Sequence, residues 1–200
     1  MRQMGTMRCL QVDLGVISFC EAWRLQNLLA QLRIAGHLDD LLLFAEHPPV
    51  ITIGRAGDAR NIRVPLTSLK ARGIELLEVD RGGDVTYHGP GQLVGYPILD
   101  LARYGKDLHL YVHNLEEHLI RLLATYGIRA GRIPGLVGVW VGDEKVAAIG
   151  VHVKKWVTTH GYALNVSLRG DHFDLIHQCG IRGKGVTALS SILGLSLIHI

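Results

Sequence analysis

Hydrophobic residues recur along this chain with two different periods, and the first stretch shows both. Cys9 to Gly15 alternates weakly between apolar and polar positions, which predicts a strand. Ser18 and Glu21 then have the S-x-x-E spacing of a capping box, so a helix is predicted to begin there and to end at Gly36. The apolar stripe predicted for this helix consists of leucines at helical spacing: Leu25, Leu28, Leu29 and Leu32.

The next predicted elements are shorter, and turn residues separate them. Two apolar runs, 41–46 and 50–53, predict strands on either side of a pair of prolines. His47 precedes those prolines and is interpreted as a turn residue rather than a chemical group. A short helix is predicted over 65–73, with its proline in the first position, and residues 74–79 predict a further strand.

A long amphipathic helix dominates the second half of the pattern. Asp107 is predicted to cap it, and Gly127 to close it after Tyr126. Its predicted apolar stripe is Leu108, Val112, Leu115, Leu119 and Leu122. The elements predicted after it are strands over 136–141, 145–153 and 156–166, a short helix over 171–178 and a final helix capped by Thr187. Strands and helices in this order predict one mixed α/β domain with a helix-flanked, partly antiparallel sheet.

Composition narrows the classes of function. With 200 residues, 48% hydrophobic and 20% charged, the chain suits one domain over 1–200. A net charge of +3 is too small to indicate nucleic acid, and no apolar run is long enough to predict a membrane span. Asp13 and Glu21 interrupt the apolar residues near the N-terminus, so no secretory signal is predicted. Three cysteines without a C-x-x-C favour a reducing cytoplasm over a disulfide framework.

The stretch 81–101 combines glycine and proline with polar side chains and leads into an apolar run, 93–99. Glycine allows positive φ and lets a ligand come close to the backbone, so this stretch suits the floor of a pocket. The alternative is a turn or hairpin with no ligand, since glycine and proline mark turns as well. A phosphate loop is not indicated here or at 180–185, where Gly185 replaces the hydroxyl residue of that motif.

Lys145 begins a predicted strand whose side chains alternate between two faces. The face of Lys145 is predicted to carry Ala147, Ile149, Val151 and Val153, and the opposite face Val146, Ala148, Gly150 and His152. The lysine either reaches solvent along its apolar face or is held inside, where desolvation favours a neutral amine that can act as a base. The pattern leaves both interpretations open.

The cysteines and one histidine pair carry weaker indications. Cys179 follows a predicted helix, and a lone cysteine there is either a small buried residue or a nucleophile. Cys9 and Cys20 are interpreted as buried hydrophobic residues, because their neighbours are apolar. His109 and His113 share a helix face at i, i+4, but without a third ligand they are interpreted as solvated rather than metal-binding.

Four ordered segments resemble the lipoyl(octanoyl) transferases of the biotin/lipoate protein ligase superfamily. The first lies within 81–92 and reads R-G-G, then T-Y-H-G-P-G-Q. The second, 145–150, is similar to K-[IV]-A-x-[ILV]-G, and the third, 160–166, to H-G-x-A-L-N-V. The fourth begins with C-G-I at 179–181 and continues to Val-Thr at 186–187. Four motifs in order are a more specific indication than any one of them.

The resemblance implies a fold and a set of roles. It implies the α/β domain of biotin and lipoate protein ligases, with Cys179 as the acyl-accepting nucleophile and Lys145 as its base. The residues it implies at the acyl site are Arg81, Gly82, Gly83, Asp84, Val85, Thr86, Tyr87, His88, Ala148, Ile149, Gly150, Gly161, Tyr162 and Ala163.

The reaction implied by the resemblance is transfer of an octanoyl group between two proteins. The donor is octanoyl-acyl carrier protein, and the acceptor is a lysine of the lipoyl domains of 2-oxoacid dehydrogenase complexes or of the glycine cleavage H protein. No cofactor, metal, nucleic acid or membrane is expected to take part. The sequence departs from the family in two places: Gln178 stands where proline usually precedes the cysteine, and the end from about 192 reads as truncated or foreign.

Two other functions fit parts of the sequence. An ATP-dependent lipoate or biotin ligase would share the fold, but it needs no nucleophilic cysteine. A non-catalytic module that binds lipoyl domains or acyl groups would explain the glycine-rich stretch. It would leave Lys145 on an apolar strand face unexplained.

Overall fold

Two β-sheets of unequal size organise the fold, as seen in a computed structural model that describes residues 8–168, 172–177 and 183–194. The strands are β1 (Cys9–Val16), β2 (Asp40–Glu46), β3 (Val50–Ile53), β4 (Glu75–Glu78), β5 (Val85–His88), β6 (Gln92–Ile98), β7 (Gly131–Ile133), β8 (Leu136–Val141), β9 (Glu144–Lys154), β10 (Val157–Asn165) and β11 (Gly185–Val186). The helices are α1 (Phe19–Ile34), α2 (Leu66–Ala71), α3 (Leu108–Thr125) and α4 (Leu189–Leu193). The large sheet has the order β1-β2-β6-β10-β9-β8-β7 with β11 beside β9, and the small sheet the order β4-β3-β5.

Strand directions in the large sheet are mixed, and helices cover both of its faces. β1 runs parallel to β2 and β11 parallel to β9, whereas the other neighbours are antiparallel. Helix α1 packs on β6 and β10, and α3 packs on β8 and β9. Successive residues of β10 enter opposite cores, Leu164 with α3 and Ala163 with α1. The predicted helix-flanked, partly antiparallel α/β sheet is confirmed.

Helix α1 begins and ends where the sequence predicted, but a different face is buried. Ser18 caps it by accepting a hydrogen bond from the Glu21 N–H, and Gly36 has the left-handed φ of 79° that follows a helix end. The predicted leucine stripe is confirmed only in part: Leu29 packs against the core, whereas Leu28 is 54% exposed. The buried face consists of Phe19, Ala22, Gln26, Ala30 and Arg33. Small alanines let the helix approach the sheet, and polar residues on that face bond to it, which leucine spacing cannot reveal.

Helix α3 follows the prediction more closely. Asp107 accepts a hydrogen bond from the Leu110 N–H at 2.9 Å, as a helix cap does. Leu115 and Leu119 are buried as predicted, whereas Leu108 is 40% exposed. The rest of the buried face consists of Tyr111, Glu116 and Leu123. Glu116 can be buried because it accepts hydrogen bonds from Arg132 Nε at 2.9 Å and the Gly138 N–H at 3.0 Å.

Several short elements differ from the predictions. β5 lies within the stretch interpreted as a glycine-rich loop, and β7 was not predicted; both are short and depend on pairing with other strands. Pro65 stands at the cap of α2 rather than at its first position, and the cap of α4 is Ala188 rather than Thr187. Of the helix predicted over 171–178, the described part forms a 3-10 turn at His172–Leu175.

The small sheet lies between two hydrophobic clusters, and its strand β5 contributes side chains to one of them. Val85 and Tyr87 of β5 pack with Leu69 of α2 on one side of the sheet. On the other side, Val50 of β3 packs with Phe19 at the beginning of α1. β5 therefore directs alternate side chains toward α2 and toward the large sheet.

Candidate active site

A pocket lies where the small sheet faces β6, β9 and β10 of the large sheet. Its lining is mostly apolar side chains and glycine backbone, with a few polar groups contributed by arginine, threonine and histidine. A concave apolar site with few polar groups is the usual form of a small-molecule pocket.

The structure brings most of the predicted acyl-site residues together around this pocket. They come from the glycine-rich segment of the small sheet and from β9 and β10, which are adjacent because Gly150 pairs with Gly161. The predicted residues that line it are Arg81, Gly82, Gly83, Thr86, His88, Ala148, Ile149, Gly150, Gly161, Tyr162 and Ala163.

Asp84, Val85 and Tyr87 were predicted with them but lie elsewhere. Strand alternation turns Val85 and Tyr87 into the α2 cluster, where the Tyr87 hydroxyl is 2.8 Å from His172 Nδ1. Asp84 accepts a hydrogen bond from the Asp58 N–H at 2.8 Å and so fixes a neighbouring turn. Contiguity in the motif therefore does not place a side chain in the pocket.

Arg81 is a buried cation at the edge of the pocket, 6% exposed. Its Nη2 donates to the hydroxyl and the carbonyl of Thr52, both at 2.8 Å, and its Nη1 donates to the Gly82 carbonyl at 3.0 Å. Two glycines make room for it: a Cβ on Gly54 would lie 2.7 Å from Arg81 Nη1, and one on Gly150 3.1 Å from Arg81 Cδ. Arg81 thus attaches the glycine-rich segment to its neighbours.

Two further glycines keep the pocket floor thin where β6 meets β10. A Cβ on Gly161 would lie 2.2 Å from the Gly95 carbonyl oxygen, and one on Gly95 would lie 2.3 Å from the Tyr162 ring. Neither position accepts a side chain unless its neighbour moves. The floor at this point is therefore backbone, over which an apolar ligand can lie.

Aromatic rings close one end of the pocket around Phe19, which is 2% exposed. The Phe19 ring stacks on His88 at 5.6 Å between centroids and on His160 at 6.3 Å, with interplanar angles of 24° and 25°. Phe19, His160, Val94 and Tyr96 line the pocket but were not among the predicted site residues. The third motif contained His160; nothing in the sequence pattern distinguished Phe19.

His47 supports this closed end from behind. It lies in the turn between β2 and β3, as predicted, but it is buried rather than solvated. It is fully buried, with its ring 5.3 Å from that of Phe19. Its Nδ1 lies 2.7 Å from the Ile17 carbonyl, which only accepts hydrogen bonds, so Nδ1 carries the proton. Its Nε2 therefore accepts from the Tyr96 hydroxyl at 2.6 Å.

Burial keeps the histidines of this end neutral. Desolvation lowers the pKa of His47 and of His160, and it lowers the pKa of His88 well below its ordinary value, with a further contribution from neighbouring His47. His160 Nε2 donates to the Asp80 carboxylate at 2.8 Å, and this hydrogen bond lowers the pKa of Asp80 to about 2. The ring cluster thus presents uncharged imidazoles to the pocket at neutral pH.

Lys145 lies at the beginning of β9 and is 1% exposed, so the interpretation that it is held inside is confirmed. Its Nζ lies 4.9 Å from the centroid of the Trp140 ring. The Lys145 stem packs beside Gly138 of β8: a Cβ there would lie in ordinary contact with Lys145 Cε at 3.4 Å, but only 2.8 Å from the Ala147 carbonyl oxygen. A buried amine beside an aromatic ring has a defined position, which a solvated lysine lacks.

A β-bulge at Val146 changes the predicted alternation of β9. Val139 pairs with Ala147 and Trp140 with Lys145, so one step along β8 corresponds to two along β9. Val146 and Ala147 are consequently both buried in the core under α3. The prediction that they occupy opposite faces was wrong, because strict alternation assumes an unbroken register.

The segment that follows Cys179 in the sequence returns to β9 beside Lys145. Gly185 and Val186 of β11 pair in parallel with Glu144 and Lys145, and the next N–H, of Thr187, donates to the Lys145 carbonyl at 3.0 Å. Cys179 itself, the predicted nucleophile, lies outside the described residues.

Asn165 connects this segment to the large sheet. Its Nδ2 donates to the Thr187 carbonyl at 3.0 Å and to the Lys145 carbonyl at 3.4 Å. Its Oδ1 accepts from Gln92 Nε2 at 2.9 Å. Asn165, the asparagine of the third motif, therefore joins its own strand β10 to β6 and β9 next to Lys145.

The other two cysteines differ from their interpretation as buried residues. Cys9 is exposed and Cys20 is half-buried, and both are free thiols. Partial desolvation, with help from Asp40, raises the pKa of Cys9; desolvation and Glu75 raise the pKa of Cys20. A raised pKa leaves less thiolate, so neither thiol is activated.

Metal and membrane sites receive no support from the described part of the chain. His109 and His113 are exposed, as the interpretation of solvated histidines required. Within residues 8–168, 172–177 and 183–194, no group of three or more His, Cys, Asp or Glu could hold a metal ion. No helix among those same residues is long and apolar enough to cross a membrane.

The fold is that of lipoate-protein ligases. The crystal structure of lipoate-protein ligase A bound with ATP superposes with a TM-score of 0.68, covering 95% of this chain and 78% of that one, at 18% sequence identity. At this identity the likeness shows the architecture alone. In sequence, the family model described as lipoyl protein ligase A/B catalytic domain matches residues 18–199.

Closer relatives narrow the class to a particular activity. The octanoyltransferase of Caldicellulosiruptor saccharolyticus is 51% identical over 90% of this chain and 78% of its own length. The octanoyltransferase of Desulforamulus reducens is 46% identical over 94% of this chain and 83% of its own length. The chain therefore belongs to the lipoyl protein ligase A/B catalytic-domain family and, within it, to the octanoyltransferases, which are acyltransferases.

Proposed function

We propose that this enzyme transfers an octanoyl group from octanoyl-acyl carrier protein to a lysine of a lipoyl domain, through a thioester on Cys179. The observation that carries the proposal is Lys145, a fully buried amine on the strand that forms the pocket floor. A lysine held inside the protein next to the pocket floor can present its amine to a thiol from a fixed position, and a neutral amine is a suitable base for a thiol.

The first step forms the acyl-enzyme. Lys145 takes the proton of the Cys179 thiol, and the sulfur attacks the carbonyl carbon of the octanoyl thioester. The bond between that carbon and the carrier sulfur breaks, and the departing thiolate takes the proton back from Lys145. One thioester replaces another, so the step is nearly thermoneutral. Backbone N–H groups of the glycine-rich segment are candidates for stabilising the oxyanion.

The second step delivers the acyl group. The neutral ε-amine of the acceptor lysine attacks the Cys179 thioester, the carbon–sulfur bond breaks, and the amine proton returns to the thiolate. An amide replaces a thioester, which favours the product. Lipoyl domains of 2-oxoacid dehydrogenase complexes and the glycine cleavage H protein are the proposed acceptors, and the cytoplasm is the proposed compartment.

The chain on either side of Cys179 supports its role. Before it, the His177 N–H donates to the Asn61 carbonyl at 2.7 Å, beside the small sheet. After it, β11 pairs with β9 at Lys145. The described residues nearest Cys179 are thus attached on one side to the turn at Asn61 and on the other to the strand that carries Lys145, which supports the pairing of Cys179 with Lys145.

Intact-mass analysis tests the proposal directly. Incubation with octanoyl-acyl carrier protein is expected to add one octanoyl group to the enzyme. Cys179→Ala should remove this adduct, whereas Cys9→Ala and Cys20→Ala should retain it, because those thiols are not activated. An adduct that survives Cys179→Ala, or no adduct in any variant, would reject the thioester mechanism.

An ATP-dependent ligase is the competing function, because its fold is the same. The two are separated by supplying either octanoyl-acyl carrier protein alone or free octanoate with ATP and magnesium. The proposal expects lipoyl-domain modification in the first mixture and none in the second. Modification that strictly requires ATP would establish the ligase instead.

A further inference from the structure

Phe19 is the residue that closes the pocket at the end remote from Lys145. The pocket floor on β9 runs from Ala148 to Gly150, and β10 places His160 opposite Val151, one position farther along. Phe19 stacks on His160 at 6.3 Å, so it stands at the far limit of this floor.

The strand register places Phe19 on the side of the pocket away from Lys145. His160, on which Phe19 stacks, pairs with Val151, farther along β9 from Lys145 than the residues of the pocket floor. An acyl group that enters from the Lys145 side therefore points its methyl end toward the Phe19 ring. An extended octanoyl chain of carbon–carbon bonds near 1.5 Å is about 9 Å long.

The Phe19 ring is held too firmly to move aside. The ring stacks on both His88 and His160, with interplanar angles of 24° and 25°. His160 is fixed by its hydrogen bond to Asp80 at 2.8 Å, and His47, which touches Phe19 at 5.3 Å, by bonds to Tyr96 and Ile17.

Further packing lies behind the ring. Val50 and Val79 are buried with Phe19 in one cluster, and Trp23 and Leu77 pack against it. Side chains in such a close-packed cluster cannot yield by a methylene without displacing others. The far end is thus both apolar and rigid.

We propose that Phe19 is the specificity-determining residue for acyl chain length, a wall that admits eight carbons and excludes longer chains. The inference rests on the proposed function, because it takes an acyl thioester as the ligand. It accounts for a feature that the transfer chemistry leaves unused: a closely packed aromatic ring in the lining of the pocket.

Competition between acyl chain lengths tests the inference. The relative kcat/KM for decanoyl- and octanoyl-acyl carrier protein is measured in the wild type, Phe19→Ala, Phe19→Leu and Val79→Ala. Val79 is the matched control, since it packs in the same cluster but does not line the pocket. Near-UV circular dichroism and thermal melting establish that each variant is folded; Phe19→Leu keeps more packing and carries the test should Phe19→Ala not fold.

The expected result is a change of preference confined to the Phe19 variants. The decanoyl-to-octanoyl ratio should rise about tenfold in Phe19→Ala, since one or two methylenes in an apolar pocket are worth roughly that much, and by a smaller factor in Phe19→Leu. The ratio in Val79→Ala should stay at the wild-type value. An unchanged ratio in the folded Phe19 variants, or an equal rise in Val79→Ala, would overturn the inference.

A second readout separates this inference from the proposed function. Free octanoate and decanoate are compared for their effect on the melting temperature of the same variants. Suppose that the wild type transfers no octanoyl group, yet decanoate raises the melting temperature of Phe19→Ala more than that of the wild type. The proposed transfer reaction is then rejected, and the inference that Phe19 limits acyl chain length is retained. If transfer is normal and neither readout changes with chain length in the Phe19 variants, only the wall is rejected.

Discussion

Arg81, which lines the pocket, and Lys145, on the strand that contributes its floor, both have buried basic side chains, but the surroundings of the two side chains differ. Arg81 donates hydrogen bonds to the hydroxyl and carbonyl of Thr52 and to the Gly82 carbonyl. Lys145 places its amine over the Trp140 ring, with its stem against the vacant side of Gly138. One environment consists of oxygen acceptors arranged for a planar fork, and the other presents an aromatic face.

The difference fits the separate roles proposed for the two residues. A guanidinium in proteins cannot release its proton, so Arg81 cannot serve as a base, and its hydrogen bonds to Thr52 and Gly82 hold the chain in place. An amine can lose its proton and then accept one from a neighbouring thiol. Burial alone therefore does not indicate catalysis; the side chain's ability to change charge has to be considered with it.

Replacing Lys145 should give the largest effect on activity. Lys145→Met keeps the volume but removes the base, so kcat/KM for octanoyl transfer is expected to fall about a thousandfold. Urea denaturation of the same variant separates loss of the base from loss of folded protein. Lys145→Arg, which keeps a charge but releases no proton, should also lose most transfer. Normal turnover by Lys145→Met would make Lys145 a structural residue, and the contrast with Arg81 would disappear.

Replacing Arg81 should mainly lower the free energy of unfolding. Arg81→Met leaves the Thr52 acceptors without their donors, and a loss of about 2–3 kcal/mol in the free energy of unfolding is expected. Arg81→Lys should recover little of it, because an ammonium cannot reproduce the fork. Urea denaturation provides the measurement, with exposed Arg103→Lys as control. Full stability of Arg81→Met would show that the hydrogen bonds do not position the segment.

Two glycine substitutions test whether the missing Cβ of Gly150 is needed for the close packing of the Arg81 segment against β9. A Cβ on Gly150 would lie 2.9 Å from the Gly82 carbonyl oxygen, whereas one on Gly82 would meet nothing closer than the Val151 carbonyl oxygen at 3.4 Å. Gly150→Ala should therefore cost roughly 1–3 kcal/mol of stability through displaced backbone. Gly82→Ala should remain close to the wild type by thermal melting. Equal tolerance of both would contradict the close packing described here.

The pH dependence of stability separates the guanidinium of Arg81, which stays charged, from the buried histidines, which titrate. Burial lowers the pKa of His47, His88 and His160 in the folded state, so below the unfolded value near 6.5 the unfolded chain binds more protons. Stability should be full above that pH and decrease as the pH falls from about 7 to 5. Each histidine contributes up to about 1.4 kcal/mol per pH unit.

The control for this titration is His88→Gln, which should make the decrease less steep. Urea denaturation at several pH values in the wild type and this variant supplies the slopes. Asp80 is a separate case, because its pKa of about 2 keeps its own contribution until the pH falls through that value. A flat profile between pH 7 and 5 would mean that these imidazoles are not kept neutral by burial.

The exposed cations differ from the buried Arg81 and Lys145, and replacing them should have the smallest effect on activity. Lys154, Lys155, Arg55 and Arg103 are exposed on a chain of net charge +3. If they attract an acidic acyl carrier protein, raising salt from low to physiological should lower kcat/KM roughly threefold, mainly through the association rate. Lys154→Glu with Lys155→Glu should lower it at low salt and reduce the salt dependence. Unchanged kcat/KM in both experiments would exclude electrostatic steering.

Local sequence patterns determined most of the helices and strands, and four motifs indicated the family and its candidate site residues. The caps of α1 and α3, the glycines that end them and the strands β2, β3, β8, β9 and β10 all follow from a few neighbouring residues. Four ordered motifs indicated the family before any contact was known. Short-range steric and hydrogen-bonding preferences are written into adjacent residues, so they can be read without the fold.

Only the tertiary structure decided which of these residues meet. Phe19 approaches His88 and His160 from a distant part of the chain, and its importance is invisible in the first helix alone. The bulge at Val146 arises from pairing with β8, so no pattern within β9 could predict that Lys145 lies where it does. Alternation along β5 removed Val85 and Tyr87 from a motif that named them. Each of these outcomes depends on how two segments are registered against each other, and register is a property of the pair rather than of either sequence.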